Sequence, residues 1–186
     1  LRRNGPMRAE ELMPKLPMLL ADLETMHKAR LIHRDISPDN IILMPDGRLK
    51  LIDFGSARSV QDGKSMTVLL KAGFSPVEQY QSKGQDAYTD VYALAATVYY
   101  CLTGVVPPSA VNRLDKDTLE GPNQHGAGLT NQQEKALLEG MIVQPKLRPQ
   151  SMEAFAAKLF PDRFRRNVPE RGAVSPGGGE KIGGTG

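Results

Sequence analysis

Two short stretches carry the side chains best suited to chemistry: His33-Arg34-Asp35-Ile36-Ser37-Pro38-Asp39-Asn40 and Asp53-Phe54-Gly55. A carboxylate such as that of Asp35 can accept or orient a hydroxyl proton. Asn40 and Asp53 offer hard oxygen atoms of the kind magnesium prefers. Asp35 and Asp53 stand 18 positions apart, with the apolar runs Ile41 to Met44 and Leu49 to Ile52 flanking Pro45-Asp46-Gly47-Arg48 between them. The Asp-Gly pair favours the positive φ angles of a tight hairpin, which returns the chain to near its starting point. An Asp-Phe-Gly triplet alone also reads as a turn with a buried Phe, so the specificity lies in the combination.

That combination resembles the C-terminal lobe of a eukaryotic-like protein kinase, with particular similarity to bacterial serine/threonine kinases. His-Arg-Asp with an Asn five residues after the Asp matches the family's catalytic loop, and Asp53-Phe54-Gly55 matches its magnesium-binding triplet. The resemblance implies ATP and Mg2+ as cofactors and serine or threonine hydroxyls of protein substrates as acceptors. It implies Asp35 as catalytic base, Asn40 and Asp53 as metal ligands, and Ile42 as part of the apolar floor under adenine. His33 and Phe54 are expected to pack in a stacked column. Arg34 precedes the base as in kinases switched by phosphorylation of the activation segment, where its guanidinium pairs with the new phosphate.

The polar, glycine-bearing stretch from Asp53 to Glu78 then corresponds to the activation segment, with Ser65 and Thr67 as phosphosite candidates. Gly73-Phe74-Ser75-Pro76-Val77-Glu78 resembles the end of that segment, with Val77 where Pro is usual and Glu78 in the acidic place. Arg148 matches the distant arginine that pairs with this glutamate. Asp90 resembles the aspartate that opens the buried central helix and hydrogen-bonds the catalytic-loop backbone; read without the resemblance it is an N-cap.

Ser37 departs from the pattern. Most serine/threonine kinases carry Lys there, facing the γ-phosphate, and a hydroxyl cannot supply that charge; either activity is slower or another cation substitutes. The alternative function is therefore a pseudokinase or a nucleotide- or protein-binding scaffold. No Gly-rich phosphate loop, strand Lys or partner helix Glu precedes His33, so the expectation is a partial kinase domain over residues 1–160. Its N-terminal lobe would be absent from this chain, and the fragment would be inert alone.

The elements that must position these residues are mostly helical, so the expected fold class is mostly α with a small β-hairpin. Leu12, Leu16, Leu19, Leu20, Leu23 and Met26 recur at helical spacing, with Pro14 and Pro17 confining the regular part to the stretch after them. Further helices are expected over Thr89 to Thr103, Asn131 to Val143 and Ser151 to Leu159, with Thr130 and Ser151 as caps. After Pro161 the pattern stops, and residues 161–186 read as a Gly- and Arg-containing tail or linker, leading to another domain or a membrane anchor.

The 186 residues carry 24 Lys plus Arg against 21 Asp plus Glu. The surplus sits at the two ends, leaving residues 9–160 slightly acidic, so nucleic-acid binding is not expected. The charge-free run Val91 to Asn112 is interrupted by Pro107 and Pro108 and is too short to span a bilayer. It reads as a buried helix of a cytoplasmic protein. The single cysteine, Cys101, can form no internal disulfide.

Overall fold

A computed structural model describes residues 5–54, 58–59, 70–81 and 84–165. The chain opens with α1 (Ala9–Leu12), passes through a 3-10 turn at Met13–Lys15 and continues as α2 (Leu16–Lys28). The two prolines do not confine the regular part to the stretch after them: α1 precedes both, Pro14 lies in the 3-10 turn, and Pro17 lies in the first turn of α2, where its missing N–H breaks no intrahelical bond. The Leu face of α2 is buried at Leu16, Leu19, Leu20 and Leu23.

The hairpin consists of β2 (Ile41–Leu43) and β3 (Leu49–Leu51), in the register Ile41 with Leu51, Ile42 with Lys50 and Leu43 with Leu49. Its turn differs from a tight two-residue loop. The Gly47 amide donates to the Met44 carbonyl and the Met44 amide to the Arg48 carbonyl, and only Gly47 takes positive φ, at 84°. This is a type I turn closed by a left-handed glycine, the longer alternative hairpin loop.

A second ladder has no counterpart in the sequence pattern: β1 (Leu31–Ile32) pairs antiparallel with β4 (Arg58–Ser59). Two-residue strands are too short to show alternation, so the signal is absent from the sequence.

Among the described residues the α-helices that come next are α3 (Val77–Tyr80), α4 (Ala87–Thr103), α5 (Ala110–Asp115) and α6 (Asn131–Gly140). Helix α4 is the centre of the core; every residue except Tyr88 and Tyr100 is buried, as expected of a helix apolar all round. It starts two residues before Thr89, at an Asp86–Thr89 capping box, so Asp86 rather than Asp90 is its N-cap. Gly104, at φ 71°, ends it.

Helix α6 has the expected Thr130 cap and stops at Gly140, three residues short of Val143. Ser151 caps α7 (Met152–Leu159). The chain does not stop being regular at Pro161: α8 (Pro161–Arg165) comes directly after α7. The tail reading for residues 166–186 lies outside the described residues.

Helices α4, α6 and α7 meet at Gly140. A Cβ there would lie 2.9 Å from Ala95 Cβ and 2.9 Å from Phe155 Cε2. Both neighbours are buried, with Ala95 and Phe155 fully inaccessible, so neither has room to yield. Gly140→Ala gains about 1 kcal/mol of helix propensity, and overpacking costs about 1–3 kcal/mol. The urea midpoint of the variant is expected to fall; a midpoint equal to the parent's would show that the contact relaxes freely.

Cys101 lies in this core, 4% exposed, and burial pushes its thiol up to about 11. It is an apolar filler with no thiolate chemistry near neutrality. Among the described residues no helix is long and apolar enough to cross a membrane.

Candidate active site

Between β1 and the 3-10 turn at Pro38–Asn40 the backbone of residues 33–37 is irregular, and an irregular buried loop needs partners for its amides. Asp90, inaccessible on α4, supplies them. Its Oδ2 accepts from the His33 amide at 2.8 Å and its Oδ1 from the Arg34 amide at 2.9 Å. The His27 ring bonds the same Oδ2 at 2.8 Å. The Arg34 carbonyl accepts from Gln79 Nε2 at 2.7 Å. Arg34 is thus clamped on both sides of its Cα at φ 67°, a conformation that costs a non-glycine residue about 1–3 kcal/mol. Asp53 is held at φ 61°.

His33 is fully buried, and its ring meets that of Phe54 edge to face, with centroids 5.2 Å apart. This is the stacking expected of the pair. Burial pulls the His33 pKa below its ordinary 6.5, although the carboxylates of Asp90, Asp35 and Asp53 all favour the charged ring. The folded protein therefore prefers neutral His33, while the unfolded chain protonates it near 6.5. Stability from this residue is present above that pH and is lost as pH falls below it. The drop in melting temperature between pH 7.5 and 5.5 is expected to be smaller in His33→Leu than in the parent; identical drops would remove His33 as the cause.

Asp35 and Asn40 are joined directly. Asn40 Nδ2 donates to the Asp35 carbonyl at 2.7 Å and to its Oδ2 at 2.8 Å. That turns the donor half of the amide toward Asp35 and leaves its oxygen as the half able to take a cation. The Asn40 carbonyl accepts from the Ile52 amide at 2.9 Å, which extends the hairpin ladder by one step and sets Asp53 next to that pairing. Asp35, Asn40 and Asp53 therefore gather at the open end of the hairpin, and the influence of both carboxylates on His33 agrees with that placement.

Ile42 points away from the core on β2 and is 43% exposed, as is Phe54 at 55%. No group of three or more His, Cys, Asp or Glu able to hold a metal occurs among the described residues. One carboxylate with one amide oxygen is nevertheless a usual magnesium donor set when substrate phosphates complete the shell.

Lys71 carries no motif that marks it in the sequence. Its Nζ lies 2.8 Å from Asp35 Oδ1 and donates to Ser37 Oγ at 3.0 Å. Gln79 and His27 are likewise unmarked, because each acts through a fold contact without a motif of its own. Ser65 and Thr67 lie outside the described residues.

Glu78, at the start of α3, is bound at both carboxylate oxygens by Arg148. Arg148 Nη1 donates to Oε1 at 2.7 Å and Nη2 to Oε2 at 2.8 Å. The remaining guanidinium donors reach the carbonyls of Ile142, Tyr88 and Val143 at 2.7, 3.0 and 2.9 Å. Thr89 Oγ1 donates to Glu78 Oε1 at 3.0 Å, so the pair is buried with its hydrogen bonds satisfied.

A family model described as protein kinase domain matches residues 1–160. The chain is 32% identical over 202 residues to the serine/threonine-protein kinase pkn3 of Myxococcus xanthus, covering 94% of this chain and 36% of that protein. It is 35% identical over 127 residues to the serine/threonine-protein kinase PknL of Mycobacterium tuberculosis, covering 63% of this chain and 32% of that protein. The sperm motility kinase 3A of Mus musculus is 29% identical over 91% of this chain and 36% of its own length. The chain thus spans about a third of the length of these curated relatives. A solved structure titled PpkA-294 apo form superposes with a TM-score of 0.71 at 32% identity, over 82% of this chain and 54% of that one.

Proposed function

The chain belongs to the protein kinase domain family, and from that premise we propose that it carries the base, the metal ligands and the substrate platform for ATP-dependent phosphorylation of serine and threonine in proteins. The observation that carries this reading is the junction of Asp35, Asn40 and the Ile52–Asp53 strand end through hydrogen bonds of 2.7–2.9 Å. In the transfer, the acceptor hydroxyl oxygen bonds to the γ-phosphorus. The bond from that phosphorus to the β,γ-bridging oxygen breaks, and its electron pair leaves with ADP. Asp35 orients the hydroxyl and takes its proton.

Asn40 and Asp53 are the residues that would hold Mg2+. Bound there, the ion offsets the negative charge of the phosphates. The exposed Ile42 serves as the floor under adenine, and the Arg34 guanidinium receives a phosphate on the activation segment at Ser65 or Thr67. The lobe that covers the phosphates comes from residues outside this chain. The short share of the relatives covered by the match supports that reading, as do Ile42 and Phe54 lying exposed beside the site.

The test is incubation of the full-length protein with magnesium, radiolabelled ATP and a general protein acceptor, followed by phosphoamino-acid analysis. Labelled serine or threonine is expected with the parent and is lost with Asp53→Asn. Nucleotide binding without transfer would replace this reading with the scaffold one, and label on tyrosine alone would overturn the acceptor class.

A further inference from the structure

We propose that Lys71 is the cation that faces the γ-phosphate, delivered by the activation segment in place of the lysine absent at position 37. The inference rests on the phosphoryl-transfer reading and deepens it. One ammonium touches both the carboxylate of Asp35 and the hydroxyl of Ser37, at 2.8 and 3.0 Å. It therefore occupies the space between the base and the position where a catalytic-loop lysine would stand. Ser37 is fully buried, and its short side chain leaves room for the incoming Nζ. Two of the three ammonium donors are engaged by these residues, and the Lys71 side chain keeps 30% of its surface accessible. No hydrogen bond to a described residue takes the third donor, which can meet an anion arriving from the open side.

The backbone of Lys71 is built to aim this side chain. Its amide donates to Ser75 Oγ at 2.9 Å, and its carbonyl accepts from the amides of Phe74 and Ser75, both at 2.9 Å. The same turn contains Gly73 at φ 87°, where a Cβ would meet the Pro107 carbonyl oxygen and Val106 Cγ1 at 2.7 Å each. The turn thereby packs closely against residues 106–107. None of these anchors uses the lysine side chain, so the backbone of Lys71 is held by the turn while its ammonium is held by Asp35 and Ser37.

In the transfer Lys71 gives up no proton. Its charge stabilises the equatorial oxygens of the passing phosphoryl group while the hydroxyl proton goes to Asp35 and the electron pair to ADP. Because the cation sits on the activation segment and the base on the catalytic loop, the charge complement is complete only with the 71–75 turn docked.

The experiment uses the full-length protein, Lys71→Met, and the double variant Ser37→Lys with Lys71→Met. The readouts are kcat for protein phosphorylation and, by calorimetry, the ratio of the Kd values for Mg-ATP and Mg-ADP. Lys71→Met is expected to lower kcat about 100-fold, the usual loss when one preorganised charge donor is removed, and to abolish the preference for ATP over ADP. The double variant is expected to recover both.

Unchanged or raised kcat in Lys71→Met, an intact ATP-to-ADP ratio, or a folded double variant no better than Lys71→Met would each overturn the proposal. A purely structural ion pair shifts the melting temperature and leaves that ratio alone. If Lys71→Met does not fold, Lys71→Gln is scored by the same two readouts. Should the parent transfer no phosphate, the kinase reading fails on its own, and the calorimetric ratio still decides whether Lys71 meets the γ-phosphate.

Discussion

Asp35→Asn in the full-length protein is expected to lower kcat about 1,000-fold, within the range that a positioned base contributes, while KM for ATP moves little. The carboxylate serves two neighbours at once: Oδ1 faces Lys71 at 2.8 Å and Oδ2 accepts from Asn40 at 2.8 Å. An amide has one oxygen, so the variant can keep one of these partners and must turn its NH2 against the other. It also has no lone pair basic enough to receive the hydroxyl proton. Both losses are local, because the loop backbone is held by Asp90 and Gln79 and not by the Asp35 side chain. Steady-state phosphorylation kinetics with a melting curve for each protein make the test. A kcat within about tenfold of the parent would remove Asp35 from the proton path.

The largest stability effect belongs to Arg148→Ala. That guanidinium is fully enclosed and satisfies both oxygens of Glu78, together with three backbone carbonyls. Its removal leaves a buried carboxylate without its counter-charge and three carbonyls short of donors, at a cost of about 3–5 kcal/mol. A domain holds only about 5–15 kcal/mol in total, so the variant is expected to unfold at far lower urea. The double variant Glu78→Leu with Arg148→Met removes both charges, and its loss is expected to be well below the sum of the single losses. Additive single losses, or an Arg148→Ala cost below about 1 kcal/mol, would show that the pair is screened like a surface bridge.

What the sequence disclosed was what lies contiguously or repeats. The catalytic loop and the Asp-Phe-Gly triplet are linear strings, the Leu spacing of α2 is periodic, and Thr130 and Ser151 sit where caps belong. Glu78, Asp90 and Arg148 are legible through a family pattern, and the structure brings Glu78 to Arg148 and Asp90 to the loop amides.

The rest depends on distance in space. Lys71 approaches Ser37 across 34 positions, and nothing in Leu70-Lys71-Ala72 marks it except that Ser37 left a charge unsupplied. The ladder of β1 with β4 has two pairs, too few to produce a period. The apolar run places the start of α4 late because Asp86 lies outside it, and α5 leaves no periodic signal because six residues hold under two turns.

The contact between Glu78 and Arg148 joins residues 70 positions apart. A ribosome therefore releases Glu78 well before its counter-ion exists. At about 5–20 residues per second, the acidic side chain waits several seconds for closure. Throughout that interval α3 has no clasp, so a growing chain stalled short of Arg148 carries residues 33–40 without the Glu78–Arg148 pair. Synthesis past Arg148 is thereby a condition for closing this contact, written into the order in which the two charges appear.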